Sequence, residues 1–124
     1  MIISIYILIL AISGLSKAVQ DVSASNYANS KLKSLNASFW CKSEGWKSKW
    51  KNGNPAEGEK FFGSSTFLVF LTDAWHLFDV IRDITLIVSL SISVLFFTPM
   101  YIFIAIAYPI RQVFFELFYR WINK

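Results

Sequence analysis

Two long stretches without a charged side chain, residues 1–16 and 84–110, most constrain what this chain can fold into. With Lys17 extending its charge towards the membrane surface, the first stretch approaches the roughly 20 residues that cross a hydrocarbon core of about 30 Å. The second spans roughly 40 Å as a helix at about 1.5 Å per residue, so it crosses if tilted or bent. A chain this short cannot bury all of its 55% hydrophobic residues internally. We therefore expect an all-α integral membrane protein.

Charge and turn chemistry divide the chain into four expected segments. Residues 1–19 form a transmembrane anchor, which is favoured over a signal peptide because no Lys or Arg precedes its apolar block. Residues 20–63 form a basic, Trp- and Lys-rich extramembrane segment. Residues 64–110 form a long apolar helical region broken near Pro99, and residues 111–124 form an amphipathic interfacial helix. The expected architecture is about three helices, making two or three crossings, followed by this C-terminal helix.

The course of the apolar helical region leaves alternatives open. No Gly or Pro interrupts residues 64–97, so a helix can start from a cap at Ser64. Thr98 and Pro99 are typical of an N-cap followed by Pro in the first turn, and the alternative is one helix kinked at Pro99. If residues 64–81 and 84–110 both cross, the last basic residues return to the side of the basic segment. The positive-inside rule then puts that segment on the inner side.

Ionisable residues interrupt the apolar helical region on one helical face: Asp73, His76, Asp79 and Asp83. Arg82 follows Asp79 by three residues, the spacing of an ion pair on a helix. We consider three interpretations of this face. It is a neutralised or solvated packing surface, a proton- or ion-handling path because His titrates near neutral pH, or a metal site because Asp73 and His76 have a metal-binding carboxylate–His spacing. One helix supplies too few ligands for a metal without an oligomer, so no cofactor is predicted.

A catalytic set is not recognisable in the sequence. The chain has one His and lacks both the Gly-x-Ser-x-Gly and the His-Glu-x-x-His motifs. Cys41 is the single cysteine, which excludes a disulfide within one chain. These observations argue against an enzyme and assign no catalytic residue.

Two aromatic segments are expected at the membrane surface: the Trp- and Lys-rich residues 39–51 and the C-terminal tail of residues 111–124. Trp prefers the headgroup region, and each interleaved Lys gains about 1 kcal/mol near an anionic leaflet. In the tail, an apolar stripe is formed by Phe114, Leu117, Phe118 and Trp121. This stripe either lies in the membrane interface or docks on the chain's own helices. A compact subdomain around the three Trp residues of the first segment is an alternative, and acidic residues that offset the lysines disfavour single-stranded nucleic acid. The residues assigned to interfacial anchoring are Trp40, Trp46, Lys47, Lys49, Trp50, Lys51, Phe114, Phe118 and Trp121.

Four short motifs follow one another within residues 39–80: KSKWKNG at 47–53, GEKF at 58–61, SST at 64–66 and TDAWH at 72–76. In this order they resemble a group of small, functionally uncharacterised membrane proteins of bacteria and their phages. The resemblance does not extend to the C-terminal third of the chain. It implies a bacterial or phage membrane setting and a recurring pattern at Trp75 and His76, and it transfers no catalytic role.

The leading functional hypothesis is a non-enzymatic integral membrane component that assembles with anionic lipid and with protein partners or copies of itself. Its expected location is the bacterial inner membrane or the internal membrane of a phage particle. The first alternative is a small transporter or membrane enzyme with an intramembrane site on the Asp73/His76 face. The second is a pore-forming lysis protein, which the small size and the basic segment also fit.

Overall fold

The protein consists of three long helices and a folded connection between the first two. The computed structural model describes residues 1–97 and 99–123. This part of the chain contains no β-strand, only a single antiparallel bridge between Trp50 and Glu59. The all-α prediction is therefore confirmed. The helices are α1 (Ile2–Ser25), α2 (Ala37–Trp40), α3 (Lys42–Gly45), α4 (Ala74–Phe96) and α5 (Met100–Ile122).

Residues 26–73, which we call the loop module, connect α1 to α4 through short helical turns. Besides α2 and α3, the module contains 3-10 turns at Tyr27–Asn29, Lys31–Ser34, Trp46–Lys49, Lys51–Gly53, Pro55–Glu57 and Val69–Leu71. Asn36 and Asn54 each accept a hydrogen bond from the backbone N–H two residues later, 3.0 Å away, which is the Asx turn expected of Asn. Asn52 adopts a left-handed φ of 50° that Asn tolerates. Local turn chemistry thus shapes the module.

The helix expected from Ser64 starts only at Ala74, because Asp73 caps it. The Asp73 side chain accepts a hydrogen bond from the His76 backbone N–H at 3.0 Å, which satisfies one of the free donors of the first turn. α4 then continues without interruption through Arg82 and Asp83 to Phe96. The expectation of separate crossings over residues 64–81 and 84–110 is therefore wrong.

The break near Pro99 separates two helices, so the alternative of one kinked helix is also wrong. Pro99 is the N-cap of α5, one position before the helical position that we expected for it. Thr98, the expected cap, lies outside the described residues. Pro109 lies inside α5 without ending it, and the tail of residues 111–124 is not a separate helix, since α5 runs on to Ile122.

Hydrogen bonds at both ends of α1 define how the three helices run. The Tyr6 hydroxyl donates to the Phe103 carbonyl at 2.9 Å and lies 3.2 Å from the Ser93 hydroxyl. At the opposite end, the Asn26 amide donates to the Asn123 side chain at 2.8 Å. α5 is therefore parallel to α1, and α4 is antiparallel. α1 packs extensively on both partners, whereas α4 and α5 touch each other little.

Small residues let α1 approach α5 closely. Gly14 has no side chain and lies directly against the α5 backbone at Arg111 and Phe115, and the neighbouring Ser13 is buried and accepts a hydrogen bond from Arg111. Two apolar clusters lie on either side of this contact. The first is built on Tyr6, Leu10 and Phe97. The second is built on Ala18, Val19, Val22, Leu32 and Ile122.

The tail of α5 docks on this second cluster, with a helical face rotated from the stripe expected in sequence. Phe115, Phe118 and Tyr119 pack against the cluster. Leu117 and Trp121 are each 59% exposed. Of the two alternatives for the tail, the structure thus shows docking on the chain's own helices. The docked residues are Phe118, which belongs to the expected apolar stripe, and Phe115 and Tyr119, which lie beside it.

We predict that Gly14→Ala destabilises the bundle. A Cβ at this position would lie 2.8 Å from the Phe115 nitrogen and 2.9 Å from the Arg111 carbonyl oxygen, and backbone atoms cannot move aside cheaply. Overpacking costs about 1–3 kcal/mol, and replacing a helical Gly offsets about 1 kcal/mol of this, so we expect a net loss of up to about 2 kcal/mol. Thermal unfolding in detergent, followed by circular dichroism, measures this loss. Ser4→Ala, on an exposed position of α1, is the matched control and should change stability little.

Candidate functional site

The charged side chains of the three long helices begin at one height of the bundle. Arg111 of α5 donates from Nε to the Ser13 hydroxyl of α1 at 3.0 Å, and Arg82 of α4 donates from Nη1 to Gln20 Oε1 at 3.0 Å. Residues 1–16, 84–97 and 99–110 carry no Asp, Glu, Lys, Arg or His. We call this part of the bundle the uncharged end. The polar belt that borders it consists of Lys17, Gln20, Asp21, Asp79, Arg82, Asp83 and Arg111.

Gln20 is the centre of the polar belt, and its side chain is buried. Its amide nitrogen donates to Asp79 Oδ1 at 2.8 Å and to the Trp75 carbonyl at 3.3 Å. Its amide oxygen accepts from Arg82, whose other terminal nitrogen lies 2.7 Å from Asp79 Oδ1. The three side chains form a closed triangle in which each one bonds to the other two. Such a satisfied network specifies how α4 sits on α1.

Asp73 and His76 form a separate pair at the start of α4. Asp73 is 2% exposed, and His76 Nδ1 lies 2.7 Å from its Oδ2 and 2.9 Å from its Oδ1. The Thr72 hydroxyl is 3.3 Å from Oδ2. Gly45 leaves the space that this carboxylate occupies, since a Cβ there would lie 2.8 Å from the Asp73 Cβ. The carboxylate therefore holds the loop module and the helix start together.

The ionisable face expected from sequence is thus divided into two groups. Asp73 and His76 lie against the loop module, whereas Asp79 bonds to Arg82, the partner expected from sequence, and Arg82 also binds Asp83 at 2.7 Å. Within the described residues, no three His, Cys, Asp or Glu side chains come together in a way that could hold a metal ion. Each carboxylate of the face already has a partner from this chain, which favours a packing role.

The Trp residues of the basic segment do not form one core. Trp40 packs on the second apolar cluster, with its ring centroid 6.0 Å from that of Phe78. Trp46 is 45% exposed, and Trp50 is half-buried beside the β-bridge. The loop module is therefore fastened to the bundle through Trp40, and the alternative of a subdomain with all three Trp residues as its core is wrong.

Lysines of the loop module lie against carboxylates and rings. Lys47 pairs with Glu44 at 2.7 Å, and Lys49 and Lys51 flank Trp50. Lys42 lies 3.7 Å from the centre of the Trp75 ring, and Lys31 lies 4.0 Å from that of Trp121. Such cation–π contacts fix the position of a charge without neutralising it, so the surface stays positive.

Sequence reasoning missed an exposed apolar edge on the loop module. Phe62 is 83% exposed and Phe67 is 62% exposed, and their rings meet edge to face with centroids 5.6 Å apart. Leu71 is exposed nearby in the sequence. The apolar pattern predicts a helix over residues 64–71, where the structure has turns and the 3-10 turn Val69–Leu71. The sequence signal that residues 64–71 do not form a long helix is Gly63, which adopts a positive φ of 79° just before them.

The Glu59 side chain stabilises the turn at residues 63–65, next to Phe62 and Phe67 in the sequence. Its carboxylate accepts hydrogen bonds from the Gly63 N–H at 2.9 Å and the Ser65 N–H at 3.1 Å, and also from the Ser65 hydroxyl. The Ser65 hydroxyl, followed by the two backbone N–H groups, lowers the pKa of Glu59 below its usual value. The ionised form therefore holds the turn.

Comparison with protein-family models, curated proteins and solved structures finds no match for this chain. Its function is consequently argued from the geometry of the polar belt, the uncharged end and the loop module.

We predict that Gln20→Leu destabilises the bundle by about 1–3 kcal/mol, because Asp79 and Arg82 each lose a buried hydrogen-bond partner. Gln112→Leu is the matched control, since the Gln112 side chain makes no hydrogen bond within the described residues. Unfolding by SDS in mixed micelles measures both variants. Equal stability of the two would contradict a structural role for the triangle.

We predict that the turn at residues 63–65 loosens in acid. Because the folded state lowers the pKa of Glu59, its contribution is complete above the unfolded pKa and is lost as the pH falls through the folded value. The amide resonances of Gly63 and Ser65 should therefore titrate with a midpoint below 4.5, the ordinary value. Glu59→Gln should remove this titration, whereas Glu57→Gln, which leaves these two amides untouched, should preserve it.

Proposed function

We propose that this chain is a non-enzymatic integral membrane protein whose uncharged end is embedded in the bilayer. It holds the loop module at one membrane surface, where the module assembles with anionic lipid and with protein partners. The observation that carries this proposal is the apolar surface that surrounds the uncharged end. A water-soluble bundle of this size would bury such residues or cover them with polar side chains.

All three long helices contribute to that surface. α1 and α5 are long and apolar enough to cross a membrane, by length and composition. In α4, Leu95 is 73% exposed. The exposed apolar residues of the uncharged end are Ile3, Ile5, Ile7, Leu8, Ile12, Ile84, Ile87, Val88, Leu90, Val94, Leu95, Phe96, Met100, Tyr101, Ile102, Ile104, Ile106 and Tyr108.

The interior of the uncharged end supports the same location. Its buried hydroxyls are satisfied within the bundle: Ser16 donates to the Ile12 carbonyl at 2.8 Å and Ser93 to the Ser89 carbonyl at 2.9 Å. Small hydroxyl residues inside and large apolar residues outside are typical of helices that pack in lipid, where association depends on close contact rather than on hydrophobic burial. The arrangement is inverted relative to a water-soluble bundle.

The helix directions define the topology in this proposal. α1 and α5 run parallel to each other and α4 runs antiparallel to both, so a spanning bundle makes three crossings. The loop module and the end of α5 then share one side. Eight of the chain's 12 basic residues, Lys17 to Lys60, lie before or within that module. The positive-inside rule places this side in the cytoplasm or its equivalent.

The loop module is the part available for assembly. Its exposed Phe62 and Phe67 suit the headgroup boundary, and its lysines suit an anionic surface or an acidic partner. The resemblance over residues 39–80 to small bacterial and phage membrane proteins agrees with a bacterial inner membrane or the internal membrane of a phage particle. The ionisable groups of α4 serve packing in this proposal, because Asp73 and Asp79 are both bonded within the chain.

We predict that the wild-type protein stays with membranes during alkaline carbonate extraction and that Leu8→Arg weakens this association. Leu8 is 60% exposed and lies midway along the uncharged part of α1, where an Arg costs about 2.5–3.5 kcal/mol of insertion free energy. Ser43→Arg, on an exposed position of the loop module, adds the same charge and should leave the membrane fraction unchanged. The measurement is the share of protein in the membrane pellet. Complete extraction of the wild type without detergent would refute the proposal.

A further inference from the structure

The weak contact between α4 and α5 leaves a groove between them on the flank of the bundle. The groove has a volume of about 390 Å³, within the range of about 300–1,000 Å³ that is usual for ligand sites. Apart from Arg111, its walls are almost entirely apolar. The residues that line it are Leu86, Ser89, Leu90, Ile104, Ala107, Tyr108 and Arg111.

Among the described residues, Arg111 is the one charged side chain that lines this groove, and none of their carboxylates pairs with it. Nε donates to the Ser13 hydroxyl, and the guanidinium forms no ion pair with an Asp or Glu of the described residues. Asp21, on the facing helix, is paired with Lys17. Arg82 is paired with Asp79 and Asp83. The terminal nitrogens of Arg111 are therefore donors for an anion from outside the chain.

One end of the groove is charged and the other end is apolar, as in a phospholipid molecule. Arg111 belongs to the polar belt, whereas Leu90 and Ile104 lie one to two helical turns further into the uncharged end. An anion bound to Arg111 would thus lie at the height where charges begin, with its tail pointing into the apolar part of the bundle. This is the orientation of a phospholipid in the leaflet next to the loop module.

We propose that the groove between α4 and α5 binds one anionic phospholipid, whose phosphate meets Arg111 and whose acyl chain lies along Leu90 and Ile104. This inference rests on the proposed membrane function and adds a specific ligand class to it. The bound lipid neutralises the one belt cation that no carboxylate of the described residues pairs with, and it fills the space that α4 and α5 leave open.

The test is native mass spectrometry of the detergent-purified full chain, titrated with phosphatidylglycerol or with phosphatidylcholine. We expect one tightly bound phosphatidylglycerol and a higher affinity for it than for phosphatidylcholine, because the choline cation of phosphatidylcholine offsets the charge of its own phosphate and is repelled by Arg111. Arg111→Gln should remove this preference. Arg120→Gln removes the same charge from an exposed position of α5 and should retain it.

A second variant tests the groove with the charge intact. Ile104→Trp enlarges a side chain that is 40% exposed and lines the groove, so it should lower phosphatidylglycerol affinity while Arg111 remains. Equal losses in the Arg111 and Arg120 variants, or unchanged binding in the Ile104 variant, would overturn the inference. So would equally tight binding of soluble glycerol phosphate, because the site would then recognise a free phosphate and not a lipid.

Flotation with phosphatidylcholine–phosphatidylglycerol vesicles separates this inference from the proposed function. If the wild type does not float with the vesicles, the membrane proposal itself fails. If the wild type and Arg111→Gln both float but neither prefers phosphatidylglycerol, only the lipid site is refuted.

Discussion

The buried Gln20 side chain holds α1 and α4 in register at the height where charged residues begin. It bonds to Asp79 and Arg82 at once, and these two also bond to each other. Any slip of α4 along α1 would leave the buried Gln20 amide without its partners on α4, at a cost of about 1–3 kcal/mol. On the other side of α1, Gly14 lets the α5 backbone approach so closely that a single Cβ would clash. These two contacts align the uncharged ends of all three helices.

The aligned uncharged ends are shorter than a bilayer is thick. α1 from Ile2 to Ser16 measures roughly 22 Å at about 1.5 Å per residue, against a hydrocarbon core of about 30 Å. If the bundle spans, the bilayer thins around it or the polar belt lies below the headgroups, and both are tolerated at modest cost. The closed Gln20–Asp79–Arg82 triangle suits such a depth because its charges satisfy each other. Arg111 has no carboxylate partner among the described residues, so the proposed anionic lipid would neutralise its charge at this depth.

Apolar composition and spacing predicted the helical class, the separation near Pro99 and the proximity of Asp79 to Arg82, because all three depend on local sequence. The start of α4 could not be read from residues 64–97, since their apolar run lacks helix breakers. The start depends on the Asp73 cap and on Gly45, a residue distant in sequence. The roles of Gln20 and Arg111 could not be predicted from the sequence for a similar reason. A single Gln in a helix and an Arg after an apolar stretch acquire a role only when three helices meet.

In the proposed membrane location, the irregular segment before α4 limits how deep in the bilayer the bundle can lie. Backbone without regular helical hydrogen bonds is excluded from lipid-exposed hydrocarbon, so the turns between Phe61 and Asp73 must stay at or above the interface. Their exposed Phe62 and Phe67, however, favour contact with the acyl boundary. The two demands agree only if this edge of the loop module rests on the membrane surface. In that proposal Glu59 has a structural role, because its three hydrogen bonds hold the turn next to the aromatic pair in place.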